Sequence, residues 1–247
     1  MNFHIEKGSF KVLFLLLLAD FAFMLLHIIN IIGLVSNDIY SIDTDGSYAE
    51  VFQYIKEYWI VIILFILAIR RKQIIYFAWL SLFMYFLLDD SLRIHESFGI
   101  YLANYLEFQP MFQLRAQDFG ELSVSILFGF LLFTFIGVSY LFSDNVARRI
   151  SKHIFILVIS LVFFGVIIDM LHPIIPRGGS LFEDGGEMLV MSIIVWYVLK
   201  LWIDPVKQEK SNKQLIEFHP DIEYVSNQVG EGAKKVNKHT KIGSNQT

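Results

Sequence analysis

Cysteine is missing from this chain of 247 residues, and charged residues are scarce. Without cysteine the protein forms no disulfide, no cysteine-bound iron–sulfur cluster and no thiolate metal site, so imidazole and carboxylate groups are the strong metal ligands that it offers. Charged residues make up 18% of the chain and hydrophobic ones 55%, whereas soluble domains carry about 25% charged residues. The composition therefore favours a membrane protein.

The charge that is present gives no indication of a nucleic-acid partner. The net charge is only −4. No basic stripe crosses the apolar part of the sequence, and such a stripe is what proteins that bind nucleic acid normally carry. We therefore expect the lipid bilayer, and no nucleic acid, as a partner.

Long apolar runs dominate the sequence, and a helix needs roughly 20 residues to cross the hydrocarbon core. The runs cover residues 10–35, 56–70, 74–96, 119–142, 153–174 and 184–203. The first run exceeds the roughly 7–15 residues of a signal-peptide core, so we predict an uncleaved span. Residues 1–203 are thus predicted to be an all-α, polytopic bundle of about six transmembrane helices. The segment 98–112 is expected to be interfacial or re-entrant, with a seventh span as the alternative.

Basic residues mark alternate ends of these runs. They are Lys7 and Lys11 before the first run, Arg70, Arg71 and Lys72 after the second, Arg148, Arg149 and Lys152 before the fifth, and Lys200, Lys207, Lys210 and Lys213 around the end of the sixth. Under the positive-inside rule, this distribution predicts that both termini are cytoplasmic. Residues 204–247, rich in Lys, Asn, Gln, Ser and Gly, are predicted to be a disordered tail through which a protein partner could dock.

Histidines and carboxylates lie within the apolar runs or at their ends. The set comprises His27, His95 and His172 together with Asp20, Asp89, Glu96, Asp169 and Glu187. Ionisable groups are costly in hydrocarbon and usually face a protein interior or a cavity. Because the predicted topology sends nearly all of them to the outer side of the membrane, the sequence predicts a polar site in the outer half of the bundle.

Two pairs within this set have helical spacing. Asp20 and His27 are seven residues apart and share one face, with Asp20 near the bilayer middle, where loss of its charge is expected to stabilise the helix. Asp169 and His172 have the i, i+3 spacing of Glu-x-x-His ligands in helical di-metal bundles. Alternatively, Asp169 orients the imidazole of His172.

The end of the third run and the start of the sixth carry the remaining members of the set. If the third helix continues to residue 96, Asp89 and Glu96 share a face with Arg93 between them. In the alternative interpretation, Arg93 only bridges two acids at a helix end. Glu187 follows two glycines, Gly185 and Gly186, which would let a helix or a ligand approach closely.

Two short segments carry a resemblance. Leu88-Asp89-Asp90-x4-His95-Glu96 and Glu183-Asp184-x2-Glu187-Met188 resemble segments of a group of uncharacterised bacterial polytopic membrane proteins. In that group one span ends in Leu-Asp-Glu-x4-His-Glu and a later span begins with a similar acidic signature; Asp90 stands here in place of Glu. The resemblance implies a shared polar site and a bacterial cytoplasmic membrane, and it implies no activity.

Three histidines with carboxylates are typical of a site for a divalent metal such as zinc, iron or manganese. Catalytic zinc is typically held by about three protein ligands, and it lowers the pKa of its bound water to roughly 7. We therefore predict a metal-dependent, membrane-embedded hydrolase of a lipid-like substrate. Its expected metal ligands are His27, His95 and His172, and its expected catalytic carboxylates are Asp89, Glu96, Asp169 and Glu187.

The type of site resembles that of alkaline ceramidases and other membrane-embedded lipid hydrolases, although their paired His-x3-His arrangement is missing here. Two other classes stay open. In a proton- or cation-coupled transporter or channel, the same residues would form an ion path. In an accessory or sensor subunit, they would only specify how the helices pack.

Overall fold

Helices dominate the computed structural model, which describes residues 2–35, 37–111, 114–168 and 179–203. They are α1 (Asn2–Ile31), α2 (Tyr48–Arg71), α3 (Ile74–Leu92), α4 (Ile94–Tyr105), α5 (Ala116–Leu141), α6 (Asn145–Val162) and α7 (Gly179–Ile203). A turn of 3₁₀-helix, Asp38–Tyr40, lies between α1 and α2, and α6 continues as a π-helix over Phe163–Ile168. Within these ranges there is no strand beyond an isolated bridge between Met111 and Leu114.

Six of the helices are long and apolar enough to span a membrane, with mean hydropathies between 1.3 and 2.6 in their most apolar windows. Many large apolar side chains on them are exposed, including Phe14, Phe130 and Leu141, as expected where helices face lipid. The protein is therefore an integral, multi-pass membrane protein, and the predicted all-α polytopic bundle is confirmed. The remaining helix, α4, has 12 residues and extends only about 18 Å, too short to cross the hydrocarbon core.

Several helix boundaries differ from those predicted; α6, for example, begins at Asn145, eight residues before residue 153. Two of the differences lie beside the polar residues at one end of the bundle. Helix α2 begins at Tyr48, eight residues before residue 56, and its N-cap Ser47 accepts a hydrogen bond from the Glu50 amide. Helix α3 ends at Leu92, because Arg93 adopts a left-handed conformation with a φ of 52°. The prediction of one helix to residue 96, with Asp89 and Glu96 on a shared face, is thus wrong.

The apolar core lies among α2, α3, α6 and α7. Fully buried side chains from these four helices form it, namely Ile60, Leu64, Trp79, Phe83, Ile154 and Ile194. The Trp79 indole donates a hydrogen bond of 2.9 Å to the Ser151 hydroxyl, which joins α3 to α6. Helix α1 packs against α7, and α4 packs against α5.

Small residues allow two close approaches between elements. Gly99 of α4 meets Gly120 of α5 so closely that a Cβ on Gly120 would overlap the Gly99 carbonyl. A Cβ on Gly165, within the π-helical segment, would overlap the carboxylate of Glu187 on α7. Such small-residue contacts are a common way for membrane helices to pack, and the second one brings the π-helical segment against Glu187.

Candidate functional site

A cavity of about 190 Å³ opens at the end of the bundle where α2 and α7 begin and α3 ends. Its walls come from the loop before α2, the first two turns of α2, the junction of α3 with α4, and the start of α7. Its acidic lining residues are Asp43, Asp45, Glu50, Asp90, Glu96, Asp184 and Glu187, and its basic ones are Arg93 and His95. The lining is therefore strongly acidic.

The structure brings three of the predicted site residues, His95, Glu96 and Glu187, to this cavity. Asp89 and His27 do not line it and instead hold parts of its wall in place. Asp169 and His172 lie outside the described residues. The convergence of three histidines on one centre therefore stays a prediction.

Asp89 organises the junction between α3 and α4. Its carboxylate accepts a 2.7 Å hydrogen bond from the His95 amide and lies 3.1 Å from Nδ1 of the His95 ring. Because Arg93 has ended α3, the chain can turn back and present His95 to this carboxylate. The Asp89 carboxylate, as the acceptor beside Nδ1, raises the pKa of His95 above its usual value of 6.5, and this effect outweighs the opposing desolvation.

His27 has a comparable role at the opposite wall. Its side chain is 1% exposed. Nδ1 lies 2.9 Å from the Ser41 hydroxyl and accepts a hydrogen bond from the Ile42 amide. Ser41 in turn donates to Asp43 over 2.5 Å. His27 thereby fixes the loop that carries Ile42 and Asp43 into the cavity wall.

The most deeply buried charges form an ion pair between α2 and α1. Lys56 Nζ lies 3.1 Å from the Asp20 carboxylate, and both side chains are fully buried. Lys56 also donates to the Met188 carbonyl over 2.8 Å, and the Ser192 hydroxyl donates to Asp20 over 2.5 Å. The pair therefore links α1, α2 and α7, and Asp20 faces the bundle interior, not lipid.

Sequence reasoning missed Lys56 and its neighbour Glu57. Glu57 is fully buried, and its carboxyl faces that of Asp90, with Glu187 and Lys56 also within electrostatic range. Helical spacing could have identified Lys56, because it lies four and seven residues before Ile60 and Ile63, on the buried face of α2. The prediction that the span begins at residue 56 left Lys56 at a helix end, where a charged residue is expected.

Two polar contacts tie the cavity walls to one another. The Tyr54 hydroxyl lies 2.5 Å from Glu50 and 3.0 Å from the Asp90 carbonyl, which joins α2 to α3. At the mouth, Arg93 forms an exposed ion pair of 2.6 Å with Asp45. The cavity is thus held by contacts from each wall.

The described part of the chain assembles no group of three or more histidine and carboxylate side chains arranged to hold a metal ion. His95 is the imidazole at the cavity, and Asp89 already engages its Nδ1. Two of the predicted participants, Asp169 and His172, fall in a range that is not described. What the geometry offers is a polar cavity with carboxylates, one histidine and a buried ion pair beneath it.

The chain belongs to a family described as a domain of unknown function (DUF8692), which matches residues 11–203. This range includes all the residues that line the cavity and the ion pair below it. The chain has no match among curated proteins and none among solved structures. The function must therefore be argued from the site itself.

Proposed function

We propose that the protein is a transporter of the bacterial cytoplasmic membrane that couples the binding of a cation to a change of protonation at its buried ionisable groups. The observation that carries this proposal is the fully buried ion pair between Lys56 and Asp20, placed below an acidic cavity. A pair of this kind inside a membrane bundle is costly, and such groups commonly mark ion pathways and proton relays.

Polar and ionisable side chains follow one another along α2 from the cavity to the ion pair. Glu50 and Gln53 line the cavity on α2, and Lys56 follows Gln53 by three residues, or about 4.5 Å along the helix axis. Glu57, the residue after Lys56, faces Asp90, which is itself a lining residue. A cation that entered the cavity would act on these carboxyls at short range, because electrostatic interactions are strong where water is excluded.

Beyond Lys56 and Glu57 the buried side chains of α2 are apolar. Ile60, Leu64, Leu67 and Ala68 of α2 are buried in succession, so the cavity has no polar continuation along this helix. A site that is open at one end and closed by a packed core at the other is what alternating access requires of one of its two states. Under the predicted sidedness, the open end faces outward.

Reconstitution into liposomes tests the proposal. The vesicles contain a pH-sensitive dye, and inward gradients of sodium, potassium, magnesium and n-butylammonium chloride are applied in turn. The change in internal pH is compared with that of protein-free vesicles. We expect a gradient of at least one of these cations to drive proton movement across vesicles that contain the wild-type protein. The double variant D20N/K56M removes both charges of the pair together and should abolish this movement while remaining inserted.

Proton movement by the double variant equal to that of the wild type would contradict the proposal, as would no cation-driven movement by the wild type. The matched control is Ser160→Ala, because the Ser160 hydroxyl donates to the Ile156 carbonyl of its own helix. That variant should transport like the wild type.

The metal-dependent hydrolase is the second candidate, and the pairing of His95 with Asp89 beside Glu96 favours it. A carboxylate that orients an imidazole is a common feature of metal sites. Asp169 and His172 would have to complete the ligand set. Stoichiometric zinc, iron or manganese in the purified protein, lost in His172→Ala, would favour this candidate over the transporter.

A further inference from the structure

We infer that the cavity binds a small organic cation with N–H donors, such as a protonated primary amine, as the substrate. This inference rests on the proposed transport function and names the chemical class that the site would take.

The unsatisfied acceptor on Gln53 indicates a ligand that donates hydrogen bonds. Gln53 lines the cavity and is 8% exposed. Its carbonyl oxygen, Oε1, accepts no hydrogen bond from any residue that the structure describes. A buried acceptor left without a donor is costly, and an ammonium group, with up to three N–H donors, would satisfy it.

The charge of the lining selects a cation. Seven carboxylates face one arginine and one histidine, and both basic residues are already engaged, Arg93 with Asp45 and His95 with Asp89. An anion would meet a field of its own sign. A cation would be attracted, and the attraction grows as water is excluded from the cavity.

The size and the apolar part of the wall favour an organic cation over a bare metal ion. A volume of about 190 Å³ corresponds to roughly six water molecules at about 30 Å³ each, far more than one ion needs. Ile42, Ala49 and Met188, which form a small buried apolar cluster, also line the cavity. A short hydrocarbon chain on the ligand would cover this apolar surface and gain free energy by leaving water.

Calorimetric binding to the purified full-length protein in detergent tests the inference with n-butylammonium chloride as the probe. Pentanoate supplies the same butyl chain with the opposite charge, and butyltrimethylammonium supplies the same chain and the same charge without an N–H donor. We expect butylammonium to bind, pentanoate not to bind, and butyltrimethylammonium to bind about tenfold more weakly, a difference of about 1.4 kcal/mol, because it cannot donate a hydrogen bond to Gln53.

The variant Gln53→Leu removes the acceptor at nearly constant size and should weaken butylammonium binding about tenfold. The matched control is Gln73→Leu, the same change at the start of α3, at the other end of the bundle. Equal affinity for butylammonium and butyltrimethylammonium, or no effect of Gln53→Leu, would overturn the inference. So would displacement of butylammonium by equimolar magnesium or sodium, which would indicate a site for metal ions.

This measurement needs no transport, so the two proposals fail separately. Amine binding in detergent without proton movement in liposomes would retain the binding site and reject the transporter. Proton movement driven by an inorganic cation, without amine binding, would retain the transporter and reject this class of substrate.

Discussion

Lys56 and Asp20 determine, at the scale of single residues, how the bundle should respond to substitution. From the sequence alone, loss of the Asp20 charge was expected to stabilise the helix in lipid. The ion pair reverses this expectation, because Asp20→Ala would leave the Lys56 ammonium buried without its carboxylate. Breaking a buried pair in this way costs about 3–5 kcal/mol. We therefore expect Asp20→Ala to be much less stable than the wild type when its unfolding by heat or by denaturant is measured in detergent.

The double variant D20N/K56M provides the comparison for this prediction. Because this variant removes both charges together, no buried charge is left without its partner. Its loss of stability should therefore be much smaller than that of Asp20→Ala. If Asp20→Ala were as stable as the wild type, the ion pair would not hold α1 to α2, and Lys56 would have to find another partner.

His95 should make the stability of the protein depend on pH. The Asp89 carboxylate beside Nδ1 raises the pKa of His95 in the folded state above 6.5, so the folded protein binds the proton more tightly than the unfolded chain does. The resulting stabilisation is fully present below about pH 6.5 and is lost as the pH rises through the higher folded-state pKa. Thermal unfolding in detergent over this range should therefore show that the advantage of the wild type over His95→Gln shrinks as the pH rises.

The groups that face His95 provide the control for this second prediction. They are Asp89, Glu121 and Glu96, and the largest effect is that of Asp89. Asp89→Asn keeps an acceptor for the His95 amide and removes the negative charge, so it should flatten the dependence on pH as His95→Gln does. The prediction would be contradicted if the stabilities of the wild type and of His95→Gln differed by the same amount at every pH. His95 would then have the same pKa in the folded and the unfolded state.

At the scale of the helices, the hydropathy of the sequence was sufficient to predict six spans, because every run except 56–70 is long enough by itself. The start of α2 was not predictable in the same way. Its first turns carry Glu50, Gln53, Lys56 and Glu57, which read as polar loop until the cavity and the ion pair are known. The end of α3 was not predicted because Arg93 adopts the left-handed conformation that ends the helix. Glycine at such a position is the usual sequence marker of a helix end, and arginine is not.

The candidate site was predictable only as far as helical spacing reaches. The structure brings three of the predicted residues, His95, Glu96 and Glu187, to one cavity. Spacing along one helix cannot show partners from different helices, however. Lys56 and Asp20 are 36 residues apart, and Ser192 is 172 residues from Asp20. These contacts depend on how α1, α2 and α7 pack, which a single sequence does not show.

At the scale of the whole molecule, the proposed function depends on which side of the membrane the cavity faces, and the absence of cysteine allows a direct test. We predict that Asp45→Cys, at the cavity mouth, reacts in intact cells with a thiol reagent that cannot cross the membrane. Asn145→Cys, at the start of α6 on the other end of the bundle, should react only after the cells are permeabilised. Both native side chains are exposed, and the wild type gives no background. The opposite labelling would place the acidic cavity in the cytoplasm, where the proposed transporter would have to export its cation and not take it up.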